Sequence, residues 1–134
     1  MGIIVDTNVF IDAENGQRQL SQLLASSNDT CFIAAITVSE LLTGVALAQT
    51  PAIRLHRLTF SERIVSHFPV LDFTTEIART YAELYAQCLV EKPRKKIAAH
   101  DLQIAATAIT HGYRVLTSNA ADFKNIKGLE IITP

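Results

Sequence analysis

The sequence predicts an α/β fold with a mostly parallel central sheet of about five short strands and helices on both faces. Three observations carry this. Short apolar runs of three to seven residues alternate with longer segments of helical spacing. Those runs have no polar side, as expected of strands covered on both faces. The chain has 134 residues, 49% of them hydrophobic, which suits one domain that buries a core without disulfide or metal staples.

Ile3-Ile4-Val5 reads as a buried strand running into a turn at Asp6-Thr7-Asn8. Residues 17–27 place Leu20, Leu23 and Leu24 at helical spacing and close on Ser-Ser-Asn-Asp, a loop signal. Residues 30–36 form a second apolar strand, after which Thr37 opens a helix to about Gln49. A third helix spans 52–68, with Ile53, Leu58, Ile64 and Phe68 among its apolar positions, and a short strand covers 69–72. Thr74 is placed to cap a helix to about Val90 that carries Ile77, Tyr81, Leu84, Tyr85 and Cys88. Beyond a basic loop, residues 97–110 form a very Ala-rich helix ended by His111-Gly112. Strands at 114–117 and 129–132 complete the chain.

Composition excludes several classes. The longest uncharged run, 41–53, has 13 residues, short of the roughly 18–20 that a membrane-spanning helix needs. The N-terminus has no basic region before its apolar stretch, so a signal peptide is not expected. Cys31 and Cys88 lie in apolar segments without metal-ligand spacing and read as reduced core residues of a cytoplasmic protein. A net charge of −1 rules out a highly basic nucleic-acid wrapper. Charge is nevertheless uneven, because Lys92, Arg94, Lys95 and Lys96 fall within five positions. That cluster is either a solvated loop or a phosphate-contacting one.

In open α/β sheets, ligands bind beyond the carboxyl ends of the strands. Four acids occupy such positions: Asp6, Glu40, Asp101 and Asp122. Each has a local structural explanation. Thr37-Val-Ser-Glu40 matches a capping box, Asp6 and Asn119-Ala-Ala-Asp122 resemble caps, and Asp101 complements a helix dipole. Convergence in one pocket is the alternative. Several carboxylates sharing a pocket repel one another unless a cation is present, and Mg²⁺ or Mn²⁺ suits such oxygen ligands. Asp101 favours convergence, since its helix face continues through Ile104, Ala105 and Ala108 and supplies no cation.

Four segments carry a resemblance to a known family. Ile-Val-Asp6-Thr-Asn8-Val, Thr37-Val-Ser-Glu40-Leu-Leu-Thr-Gly44, Asp101-Leu-Gln-Ile-Ala-Ala106-Thr-Ala and Leu116-Thr-Ser-Asn119-Ala-Ala-Asp122-Phe123 resemble, in order, the four motifs of PIN-domain nucleases. Order, spacing and length are similar to the VapC-type toxins of type II toxin–antitoxin pairs, across essentially the whole chain. The resemblance implies one PIN-like nuclease domain over residues 1–134 and a metal-dependent endoribonuclease that hydrolyses single-stranded or loop segments of structured cellular RNA. It implies Asp6, Glu40 and Asp101 as metal-site acids, Asp6 and Asp101 foremost, with Asp122 or Asn119 completing the site. Thr117 and Asn119 would support that site by hydrogen bonding, and Thr7 and Asn8 would orient water or phosphate. Mg²⁺, which Mn²⁺ can replace, is the implied cofactor. An antitoxin protein and a second copy of the chain are the implied partners, with residues 38–49 and 52–68 as a groove for a helical peptide. His100 adjoins the third motif and reads as a polar helix-start residue. The alternative is a PIN-like module that binds RNA or protein without cutting. Phosphotransferases of the haloacid-dehalogenase type need an Asp where Asn8 stands, and receiver domains need an acid pair and a late Lys that are missing.

Overall fold

The computed structural model describes residues 1–16, 21, 29–91 and 98–134. The helix expected over 17–27 and the basic run of Lys92, Arg94, Lys95 and Lys96 lie outside the described residues, apart from Ser21. The elements run β1 (Ile3–Val5), α1 (Thr7–Glu14), β2 (Cys31–Ala34), α2 (Ala35–Ala46), α3 (Pro51–His67), β3 (Val70–Leu71), α4 (Thr75–Glu91), α5 (Ala99–His111), β4 (Arg114–Leu116) and β5 (Ile131–Ile132). A 3₁₀ turn, Ala120–Asp122, follows β4.

Among the described residues the sheet has five strands, all parallel, in the order β3-β2-β1-β4-β5. Strand β1 is central: Ile4 stands opposite Phe32 on one side and Val115 on the other. Its alternation divides the core. Ile4 and Val115 face Ile77 and Leu84 of α4, Leu102, Ala105 and Ala108 of α5, and Phe123. Ile3, Val5, Ile33 and Leu116 face Val9 and Phe10 of α1, Leu41 of α2 and Ile64 of α3. The period-2 geometry of the strands thus gives a three-layer molecule from a sheet with no solvated face. Helix α5 is buried along most of its length, and its alanines let it lie close to the sheet.

Local chemistry explains the helix ends. The Thr50 hydroxyl accepts the Ile53 N–H at 3.1 Å and Pro51 opens α3, while Thr74 accepts the Ile77 N–H at 3.2 Å ahead of α4. Gly112 ends α5 at φ 70°, a left-handed conformation that glycine adopts without a Cβ penalty. Differences from the sequence expectation concentrate at strand exits. In place of the turn expected after β1, Thr7 begins an eight-residue helix. The segment is too short to display a helical period, and burial of Val9 and Phe10 decides it, with Phe10 edge-on to Phe68 at 5.3 Å. Helix α2 opens at Ala35 instead of Thr37, directly from the strand. Cys31 and Cys88 are free but half-buried, at the margins of the two cores rather than inside them. Among the described residues, no helix is long and apolar enough to cross a membrane.

Gly2 packs against the ring of Tyr113. A Cβ there would stand 2.8 Å from Cε1 of the ring, which is held between Phe32 and His111 by stacking on both. Gly2→Ala should therefore destabilise the fold by about 1–3 kcal/mol, the usual cost of overpacking, read as a lower denaturation midpoint in urea.

Candidate active site

The four acids come from four chain segments that meet at the carboxyl edge of the sheet. Asp6 leaves β1, and its own N–H is held by the Leu116 carbonyl of β4 at 2.8 Å. Glu40 lies in the second turn of α2, Asp101 in the first turn of α5, and Asp122 ends the 3₁₀ turn after β4. Asp6 is buried at 3% exposure, Glu40 and Asp101 are half-buried, and Asp122 is exposed.

Hydrogen bonding separates Asp6 and Glu40 from ordinary helix caps. Asp6 occupies the position before α1, yet its side chain makes no cap bond there; Oδ2 accepts the Thr117 hydroxyl at 2.8 Å. Thr117 itself accepts the Asn119 N–H at 3.0 Å and the Asn8 side-chain amide at 3.4 Å. With two donors directed at its oxygen, the Thr117 proton is committed to Asp6. The capping box expected between Thr37 and Glu40 does not form, because Thr37 lies inside α2. Instead, Glu40 Oε1 accepts the Thr7 hydroxyl at 2.9 Å, and Thr7 lies 2.9 Å from the buried Thr37 hydroxyl. Since a carboxylate can only accept, Thr37 donates to Thr7 and Thr7 donates to Glu40. The other Glu40 oxygen lies 3.4 Å from His100 Nδ1. Asn119 precedes the 3₁₀ turn without a side-chain cap bond.

Electrostatics report the same convergence. Burial pushes the Asp6 carboxyl up to about 6, opposed by the Thr117 hydrogen bond and reinforced by Glu40 and Asp122. Burial likewise pushes Asp101 up to about 6, with Asp6, Asp122 and Glu40 adding repulsion and His100 opposing it. Four groups separated by up to 116 positions therefore act on one another as a single acidic cluster. The cluster is open: among the described residues, no three His, Cys, Asp or Glu side chains close into a cage that could hold an ion.

The supporting residues are tied into the site by hydrogen bonds. Thr7 is spent on Glu40 and Thr37. Asn8 is a tie between strand exits, its Oδ1 accepting the Ser118 N–H at 3.1 Å. Asn119 contributes its backbone N–H to Thr117 and exposes its side chain. Sequence reasoning missed Thr37 and underused His100. The signals were present, since Thr37 stands one helical turn before Glu40 and His100 adjoins Asp101. Local capping offered a competing account of both.

A parallel sheet in this strand order, with four acids at its carboxyl edge, defines a class. The family model described as PIN domain matches residues 3–129, and the chain belongs to the PIN-domain family. Within it the chain is similar to Ribonuclease VapC1 of Rickettsia felis and Ribonuclease VapC of Rickettsia bellii, each 41% identical over 99% of this chain and 96% of theirs. Its fold matches that of VapBC2 from Rickettsia felis, solved bound to a DNA fragment from its promoter. The TM-score there is 0.85 at 26% identity, covering 100% of this chain and 99% of that one.

Proposed function

We propose that this protein is a metal-dependent endoribonuclease toxin that hydrolyses phosphodiester bonds in single-stranded or loop segments of structured RNA and is inhibited by an antitoxin protein. One observation carries the reading: Asp6 and Asp101 lie close enough to each other, to Glu40 and to Asp122 for the four acids to repel one another, and among the described residues no lysine or arginine is among the charges found to act on Asp6 and Asp101. Keeping such repulsion costs stability, and a divalent cation removes the cost. The names of the VapC ribonuclease relatives support the RNA substrate.

The donor set fits Mg²⁺, with Mn²⁺ as a substitute. These are hard cations that take carboxylate oxygens and retain several waters, binding through one or two protein carboxylates rather than a full cage. Asp6 and Asp101 would hold the ion, with Glu40 and Asp122 beside them. When bound, the ion supplies Lewis acidity toward the phosphodiester and lowers the pKa of water. The chain's own contribution is orientation. Thr117 fixes the Asp6 carboxylate against rotation, and the Thr37–Thr7 relay fixes Glu40. Glu40 and Asp122 stand as acceptors for a proton from water entering the pocket. The basic run of Lys92, Arg94, Lys95 and Lys96, which precedes Asp101 in sequence, is proposed to contact RNA phosphates.

The antitoxin reading rests on the surface next to Glu40. A groove passes from Glu40, Leu41 and Gly44 along Ile11 and Arg57, where a cavity of about 240 Å³ opens, and continues past Ile53 and His56. Ile11 and Ile53, which line the groove, remain exposed. A helical peptide laid there would bury these side chains at the rim of the acid cluster and cover it. Solved complexes such as VapBC2 support a partner of this kind, and a homodimer of this chain is proposed beside it.

The test is cleavage of total cellular RNA by purified protein. With Mg²⁺ or Mn²⁺, internal cuts bearing 5′-phosphates are expected, as water attack followed by departure of the 3′ oxygen requires; chelation with EDTA stops them. Products ending in 2′,3′-cyclic phosphate, or cleavage unaffected by EDTA, would overturn the proposal. Thr117→Val should lower the rate about 10–100-fold, the usual effect of losing a group that orients a metal ligand. Thr117→Ser, which retains the hydroxyl, should restore most of it.

A further inference from the structure

A second cleft lies beyond the acid cluster, between the last two turns of α4 and the segment that follows the 3₁₀ turn. It encloses about 270 Å³, and its polar lining comes from Gln87, Glu91, Lys124, Asn125 and Lys127. Its floor is Leu84, Cys88 and Ile126. Phe123 and Ile126 are buried in the core beneath α4 and α5, so the backbone carrying Lys124, Asn125 and Lys127 is anchored on both sides of Lys124. Lys124 is two residues from Asp122. The chain segment that carries Asp122 thus runs on to line the cleft.

We propose that this cleft is an RNA-binding subsite, holding an unpaired nucleotide adjacent to the one being cut, with its phosphate on Lys124 and Lys127. The inference rests on the ribonuclease reading and assigns it a place where the substrate is gripped. Three features favour this occupant. A four-acid cluster repels a polyanion, so cations must flank it for RNA to approach, and Lys124 and Lys127 are the cations nearest in sequence to Asp122. The Gln87 amide, which carries both donor and acceptor, lines the cleft and suits the edge of an unpaired base. The apolar floor of Leu84 and Ile126 suits the face of such a base.

Lys127 has a competitor within the cleft. Its ammonium lies 3.0 Å from Glu91 Oε1, which also accepts the Gln87 amide at 3.5 Å. A bound phosphate therefore has to displace Glu91 from Lys127. This gives charge changes of opposite sign opposite predicted effects: removing the lysines weakens RNA binding, and removing the Glu91 charge strengthens it.

The experiment measures binding of a labelled oligouridine RNA by fluorescence anisotropy in EDTA, between about 50 and 200 mM salt. The Lys124→Gln/Lys127→Gln double variant should bind about tenfold more weakly, with the slope of log K against log salt reduced by about 0.7 for each phosphate no longer neutralised. Glu91→Gln should bind more tightly than wild type. Arg79→Gln, a charge removal on an exposed position of the N-terminal half of α4, should change neither affinity nor slope. If the double variant matches Arg79→Gln in both, the subsite is overturned. In the cleavage assay with Mg²⁺, the double variant should raise KM and leave kcat unchanged. RNA binding that depends on the lysines, in a wild type that does not cut RNA, would uphold the cleft and reject the ribonuclease reading. Cleavage with an unaffected double variant would do the reverse.

Discussion

Asp6→Asn protein is expected to cut RNA at least about 100-fold more slowly than wild type, beyond the range seen when only an orienting group is removed, and yet to be more stable at neutral pH. Both effects have one cause. Asparagine has the shape of aspartate, and its carbonyl oxygen can still accept the Thr117 hydroxyl that lies 2.8 Å from Asp6 Oδ2. What disappears is a buried negative charge repelled by Glu40 and Asp122. On the proposed function, catalysis loses one of the two aspartates that would hold the cation, while the fold loses a source of repulsion. Asp101→Asn should behave similarly with a smaller gain in stability, since Asp101 is less buried. A helix-capping role predicts the opposite signature, in which activity survives and stability falls by about 0.5–2 kcal/mol. Cleavage rates and thermal melts of the two variants therefore decide between the readings. Wild-type rates in both would remove these acids from the chemistry.

Stability of the wild type relative to Asp6→Asn should fall as pH rises from about 4 to about 6, and a divalent cation should restore it above that range. Asp6 and Asp101 both titrate near 6 in the folded chain, against 3.8 for an unperturbed aspartate. Between those values the folded state holds protons that the unfolded state has released, so raising the pH favours unfolding. Below about 4 both states are protonated and the penalty is absent; above about 6 it is present in full. For the buried Asp6, a shift of this size is on the order of 2–3 kcal/mol. Other groups titrate in the same window, so the informative quantity is the difference between wild type and Asp6→Asn across pH. At pH 7.5, Mg²⁺ or Mn²⁺ at a hundredfold excess over its Kd should add about 2.7 kcal/mol, seen as a rise in Tm of several degrees. The rise should vanish in Asp6→Asn. Melting curves that ignore the cation, or a pH difference of the opposite sign, would contradict a metal-binding cluster.

Much of this molecule is legible in the order of its amino acids. Apolar runs without a polar face announce a covered parallel sheet, and all five strands are parallel. Thr74 and Thr50-Pro51 mark helix starts because capping joins residues close in sequence. The positions of the acids after strands point to the sheet's carboxyl edge, since that edge is where the backbone opens in this architecture. Their hydrogen-bond partners are not legible. Thr37 and Glu40 satisfy a capping pattern on paper, and nothing local reveals that the helix already begins at Ala35. Helix α1 is hidden for a related reason: its eight residues take their conformation from Val9 and Phe10 packing on Ile64 and Phe68.

The division between the two sources is physical. Alternation, apolar periodicity, capping residues and the order of the four motifs are properties of neighbouring residues, so the sequence alone determined the α/β class, the family likeness and the identity of the acids. Which hydroxyl meets which carboxylate depends on partners 33 and 111 positions apart, Thr7 with Glu40 and Thr117 with Asp6. Repulsion among the acids, and the burial that lifts two of them to about 6, likewise exist only once the strands pair. The tertiary structure decided those features because distance through space, which sequence separation does not encode, governs both hydrogen bonding and Coulombic energy.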